Sequence, residues 1–160
     1  MATNGEQVDG GQYRGTLLLG VLESEHCKRT SLDLTNKGIK AAGATALAGA
    51  LENEHCKLTS LNLERSDIKA AGATALARAL ENEHCKLTSL NLDGNNSIDK
   101  ALLTVFRILP YLNLDLTSWD LSGNKINDRA ATIVARALKN EYCKLTSLDL
   151  SYNGIEAAGA

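Results

Sequence analysis

A 29-residue period constrains this chain more than any other feature. Cys27, Cys56 and Cys85 are 29 residues apart, and Cys143 lies two further periods on. Leu114 fills the intervening position. The segment from Leu114 to Leu121 aligns with Cys85 to Leu92, so Trp119 falls where Leu90 stands. Residues 27–55 and 56–84 agree at 22 of 29 positions. A unit this short cannot bury its own apolar face, but stacked copies share one continuous core. The 160 residues therefore predict one elongated domain.

Each unit divides in two. Its first half reads Leu58-Thr59-Ser60-Leu61-Asn62-Leu63. The alternation of Leu61 and Leu63 with polar neighbours marks a strand with one buried face. The second half runs from Ala70 to Leu80, with Ala73, Leu76 and Leu80 at helical spacing. Alanine favours the helix, and its small side chain lets neighbouring helices approach closely. The same face recurs as Ala44, Leu47 and Leu51, as Leu102, Val105 and Leu109, and as Ala131, Val134 and Leu138. Five parallel strands are predicted to begin near residues 29, 58, 87, 116 and 145. The strands line a concave face and the helices a convex one.

The consensus Leu-x-x-Leu-x-Leu-x-x-Asn-x-Ile spans Leu116 to Ile126, with Trp119 in place of the second leucine. It is unbroken at Leu145, Leu148, Leu150, Asn153 and Ile155. In these residues the chain resembles the ribonuclease-inhibitor-like class of leucine-rich-repeat proteins, over about residues 15–160. The His-Cys-Lys-Leu run before the strands is similar to repeats of NOD-like immune receptors. The resemblance implies an α/β horseshoe solenoid whose work is binding protein.

Residues 1–14 are polar and glycine-bearing, and are predicted to be a mobile tail. Gly15 to His26 aligns with Ala44 to His55, so the repeat domain, 15–160, begins with a helical half unit. Four 29-residue units follow. Ala160 aligns with Ala73, so a truncated fifth unit lacking its closing helix is expected. A fragment, a truncated product and a solenoid end that meets a partner all fit that pattern. The third unit is irregular. Asp93-Gly94-Asn95-Asn96-Ser97 carries one extra turn residue before Ile98, and the following helix carries Phe106 and ends near Pro110. Two explanations compete: a coupled packing change of Phe106, Tyr111 and Trp119, or a kink that shapes a binding surface.

Catalytic and cofactor chemistry has little to stand on. The serines, histidines and acids occur as repeated columns, whereas an active site needs unique residues converging in a cleft. No glycine-rich phosphate loop or nucleophile elbow is present. The pairs His26-Cys27, His55-Cys56 and His84-Cys85 invite a zinc site, but zinc needs about four ligands at one point. Adjacent residues project differently, and repetition alone explains the pairs. Buried, reduced, metal-free thiols are expected, and they suit a cytoplasmic setting. No stretch approaches the roughly 18–20 apolar residues that span a bilayer. A net charge of −2 does not favour nucleic acid. Asn95-Asn96-Ser97 is a glycosylation sequon, a motif short enough to occur by chance.

The binding surface is sought on the outward strand positions. Three columns leave the sheet. The first is Ser31, Ser60, Ser89, Ser118 and Ser147. The second is Asp33, Asn62, Asn91, Asp120 and Asp149. The third is Thr35, Glu64, Asp93, Ser122 and Ser151. The second and third columns hold five acids and no Lys or Arg, so the face is expected to be negative and to steer a basic protein partner. The first two units differ chiefly at this edge, by recognition or because turns are free to vary. Tyr152 is the aromatic nearest to it. Candidate contacts are therefore Asp33, Ser60, Asn62, Glu64, Ser89, Asn91, Asp93, Ser118, Asp120 and Asp149. The rival surface is the convex column Arg78, Arg107 and Arg136, read more simply as a solvated face paired with Glu residues. The competing function is regulation of an enzyme, as by GTPase activators or enzyme inhibitors of this fold, with an inactive repeat fragment as a third reading.

Overall fold

The computed structural model describes residues 29–95 and 115–156. Within them the order is β1 (Ser31–Asp33), α1 (Lys40–Leu51), β2 (Ser60–Asn62), α2 (Lys69–Leu80), β3 (Ser89–Asn91), β4 (Ser118–Asp120), α3 (Asp128–Leu138) and β5 (Ser147–Asp149). The five strands form one parallel sheet in sequence order. Ser60 pairs with Ser31 and Ser89, and Leu90 pairs with Trp119. The 29-residue register therefore passes unchanged through the irregular third unit.

Each strand starts two residues later than the hydrophobic pattern predicts. Leu58, Leu87 and Leu116 do face the core. The chain there is not yet in a regular ladder, because one carbonyl serves two donors: the Thr30 oxygen accepts from the amides of both Thr59 and Ser60, at 2.8 and 3.0 Å. The Thr59 hydroxyl donates to the same oxygen at 3.0 Å. Thr88, Thr117 and Thr146 repeat this on each following rung.

The core lies between sheet and helices. Leu61 and Leu63 of the second rung meet Leu47, Leu51, Leu76 and Leu80 from the helices, all buried. Apolar burial at about 25 cal/mol per Å² is the main favourable term in such a stack. At Gly72, an added Cβ would lie 2.7 Å from the Ala44 Cβ, so glycine and alanine permit the close approach of α1 and α2. In α3, Ala131 and Val134 are buried as expected, but Leu138 is 42% exposed. No described helix packs beyond α3 to cover it. Trp119 takes the leucine position in the core. Its proposed partners Phe106 and Tyr111, and the face of Leu102, Val105 and Leu109, lie outside the described residues.

An asparagine ladder seals the turns after β3, β4 and β5. The Asn95 side-chain nitrogen donates to the carbonyls of Leu63 and Leu92, at 2.8 and 3.0 Å. Its side-chain oxygen accepts from the amides of Ser66 and Ile68. Asn124 donates to Leu92 and Ser122 and accepts from the Asn95 amide. Asn153 repeats the arrangement against Leu121, Leu150, Asn124 and Ile126. Asn95 and Asn124 are fully buried. The Asn95 sequon is thereby excluded as a glycan acceptor in the folded chain, since its nitrogen is enclosed and bonded.

The ladder predicts a sharp stability effect. Asn124→Ala orphans the Asn95 amide and weakens the pairing of two buried carbonyls. Urea unfolding should show a loss of about 2–3 kcal/mol, given the cost of unsatisfied buried polar groups. An unchanged midpoint would mean that water or a backbone shift replaces the side chain.

Candidate functional site

The ten candidate residues lie on the strand positions that alternate with the buried leucines. The rungs set them in rows, with Asp33, Asn62, Asn91, Asp120 and Asp149 in register. Asp33 and Asp149 are exposed. Ser60, Asn62, Glu64, Ser89, Asn91, Asp93, Ser118 and Asp120 are half-buried by their row neighbours. Ser122, placed outward by the same alternation, is buried. Its hydroxyl donates to Asp120 Oδ1 at 2.6 Å, which draws it against the rung.

The second column has a structural duty that the outward reading missed. Each of its side chains accepts the amide two residues on. Thr35 donates to Asp33 at 2.9 Å, Glu64 to Asn62 at 3.0 Å, and Asp93 to Asn91 at 2.8 Å. Ser122 donates to Asp120 at 3.0 Å and Ser151 to Asp149 at 2.8 Å. These are Asx turns, which the short side chains of Asp and Asn are suited to make. The signal available in the sequence was an Asp or Asn at the same strand-end position of every unit. One oxygen of each group is thus committed to the turn, and the rest is left to solvent or a partner.

These bonds favour the charged form of Asp33 and Asp149. The Thr35 hydroxyl and amide hold the Asp33 carboxyl below the usual range, aided by Lys37. The Ser151 amide and hydroxyl do the same for Asp149. One expectation needs correction: the acids are not all free of basic neighbours. Arg65 Nε lies 3.7 Å from Glu64 Oε1, on an exposed side chain. The turn that follows the third column brings the guanidinium back over that column, so the field is least cancelled at Asp93, Asp120 and Asp149.

The next residue of each turn forms another column. Asn36, Arg65, Gly94, Gly123 and Tyr152 all adopt left-handed φ, from 49 to 66°. Their amides extend the cross-rung bonds beyond the strands, as from Arg65 to the Asp93 carbonyl at 2.8 Å. Glycine takes this conformation without cost, whereas Arg65 and Tyr152 are bulky residues in it. Between these two, a shallow depression of about 420 Å³ is lined by Arg65, Asp93, Gly94, Ser122, Gly123, Asp149, Ser151 and Tyr152.

The other candidate features remain apart from this edge. Arg78 and Arg136 are exposed on the helices, and neither forms an ion pair among the described residues, contrary to the expected Glu pairing. Arg107 and Cys27 lie outside the described residues. Cys56, Cys85 and Cys143 are free thiols. Only Cys56 is fully buried, because Cys143 sits in the outermost described rung and Cys85 is half-covered. Burial pushes the Cys85 thiol up. His55 is exposed while Cys56 is buried, so the adjacent pair points in different directions. Among the described residues no three His, Cys, Asp or Glu converge as metal ligands, and no helix is long and apolar enough to cross a membrane.

Parallel rungs of strand, Asx turn, asparagine ladder and helix define a solenoid repeat protein with one open polar sheet face. The chain belongs to the leucine-rich repeat family: the family's repeat model matches residues 54–77, 83–101, 112–132 and 143–160, just over half of its length. No curated protein matches the sequence. Among solved structures, the chain is similar to leiomodin-1 actin-binding site 2. The identity is 26% and the TM-score 0.73, over 88% of this chain and 79% of that one.

The Asp33 and Asp149 bonds can be checked by titration. A carboxyl lowered in the folded state contributes stability that is present above its unfolded pKa. That contribution is lost as the pH falls through the folded value. NMR of the side-chain carboxyl carbons should place both midpoints below the ordinary Asp value. Thr35→Val should raise that of Asp33 alone.

Proposed function

We propose that this chain is a protein-binding module that engages a basic partner through the open face of its sheet. The observation that carries this reading is the set of acidic side chains that the parallel rungs hold in rows. Asp93, Asp120 and Asp149 have no ion pair among the described residues. Rungs and ladders fix the surface before binding, which limits the ordering cost. The acids lie within about one Debye length of each other across rungs roughly 5 Å apart, so their fields add. Candidate contacts are Asp33, Ser60, Asn62, Glu64, Ser89, Asn91, Asp93, Ser118, Asp120 and Asp149, centred on Asn62, Glu64, Asn91, Asp93 and Asp120 of the second to fourth rungs. The work is recognition, not catalysis.

A narrower reading makes it the recognition part of an innate-immune-type receptor or scaffold. It rests on the ribonuclease-inhibitor-like and NOD-like character of the repeats, and on a cytoplasmic setting that suits free thiols. Regulation of an enzyme is the alternative. The likeness to leiomodin-1 actin-binding site 2 favours actin as a second, specific partner to test.

The test compares the native chain with a Glu64→Lys/Asp93→Lys variant. Neither side chain accepts a hydrogen bond among the described residues, so the fold should survive, as circular dichroism would show. Partners captured from lysate and identified by mass spectrometry should be lost with the variant. Their association rates should fall by about tenfold or more at low salt, and by less at high salt. Co-sedimentation with filamentous actin tests the second reading. Binding that survives these changes but is abolished by Arg78→Glu/Arg136→Glu would move the site to the helical face.

A further inference from the structure

The depression between Arg65 and Tyr152 is cut by the two glycines of the left-handed column. A Cβ on Gly94 would stand 2.8 Å from Arg65 Cγ, and one on Gly123 would stand 3.0 Å from Asp93 Oδ1. Side chains at these positions would fill the trough, as Arg65 and Tyr152 fill the positions on either side. Tyr152 is 91% exposed, the most open of the large hydrophobic residues among those described. It lines one end of the trough. The Asp93 and Asp149 carboxylates lie along it. Asp93 makes no side-chain hydrogen bond or ion pair among the described residues, and Asp149 stays ionised through its bonds to Ser151. Arg65 forms the opposite wall, with its charge opposed by Glu64 at 3.7 Å.

An aromatic face beside two carboxylates suits one side chain above others. A guanidinium is planar, stacks on an aromatic ring, and donates two parallel hydrogen bonds to a carboxylate. A lysine ammonium satisfies the charge but neither the stacking nor the fork. We propose that this trough seats an arginine side chain of the basic protein partner, with Tyr152 as its stacking platform and Asp93 as its principal counter-charge. The inference rests on the open-face reading above and specifies what that face selects.

The experiment uses nona-arginine and nona-lysine peptides of equal charge as probes of the full chain. Binding is read by fluorescence anisotropy and by shifts of the Gly94 and Gly123 amides in NMR. The arginine peptide should bind about 2- to 5-fold more tightly than the lysine peptide, the ratio expected of a cation–π contact at an exposed site. The two glycine amides should move with arginine in particular. Tyr152→Ala should erase the preference, and Tyr152→Phe should keep it. Asp93→Asn should weaken both peptides and reduce the preference. Equal affinities for the two peptides, or a preference unaffected by Tyr152→Ala, would overturn the trough while leaving an acidic face that binds by charge alone. Failure of both peptides to bind would overturn the open-face reading as well.

Discussion

The amide side chains of Asn95, Asn124 and Asn153 decide how this chain can exist. After each strand it must reverse toward the helix side, and the reversal buries backbone groups that no strand or helix satisfies. An unsatisfied buried polar group costs on the order of 1–3 kcal/mol, enough to consume much of a small domain's stability. Asparagine resolves this because its side chain both donates and accepts, matching carbonyls of its own and the previous rung and an amide of the previous rung. The leucines can pack only because the turns beside them are closed. Where Ser66 replaces asparagine on the second rung, its hydroxyl still donates to the Leu34 carbonyl at 2.8 Å. The ladder is thus weakened toward the first rung rather than broken.

Two further polar ladders run parallel to it. Threonines bridge the entry to each strand, and Asp or Asn side chains cap its exit. Together they fix the sheet at both ends of three-residue strands that would be too short to hold by themselves. Rigidity has a functional consequence. The open face is a fixed array of hydroxyls, amides and carboxylates, and a partner does not have to order it. The same capping bonds hold Asp33 and Asp149 in their charged form, so the structural duty of the second column and its electrostatic effect have one cause.

Variation enters where the ladders leave freedom. The left-handed column lies one step beyond the capped residue and tolerates Asn, Arg, Gly or Tyr because its side chain points away from the core. Two glycines in the middle and two large residues at the sides give an otherwise uniform stack a local relief. Identical rungs would present a regular ribbon, and a regular ribbon offers a partner many equivalent registers. An interruption that runs from the second rung to the fifth distinguishes one register from the others. The irregular third unit supplies one of those glycines while its strand keeps register on both sides.

The sequence by itself determined the repeat length, the division of each unit into strand and helix, and the side of the sheet that Leu61, Leu63, Leu90 and Leu92 occupy. Those features depend on local periodicity, which sterics and burial read off a single unit. It also placed the ten candidate residues on one face, because alternation alone settles that. Only the tertiary structure decided what those residues do there. Hydrogen bonds linking residues 29 or 32 apart are invisible to any local window. They made Asn95 a buried strut rather than a sequon, whereas the bonds that turn the second column into caps and draw Ser122 in link residues two apart. Tertiary packing likewise exposed Leu138, where no described helix follows, and folded Arg65 back against Glu64. The physical reason is common to all of them. Periodicity reports which side of an element is apolar, whereas the fate of a polar group depends on the neighbouring rung that satisfies it.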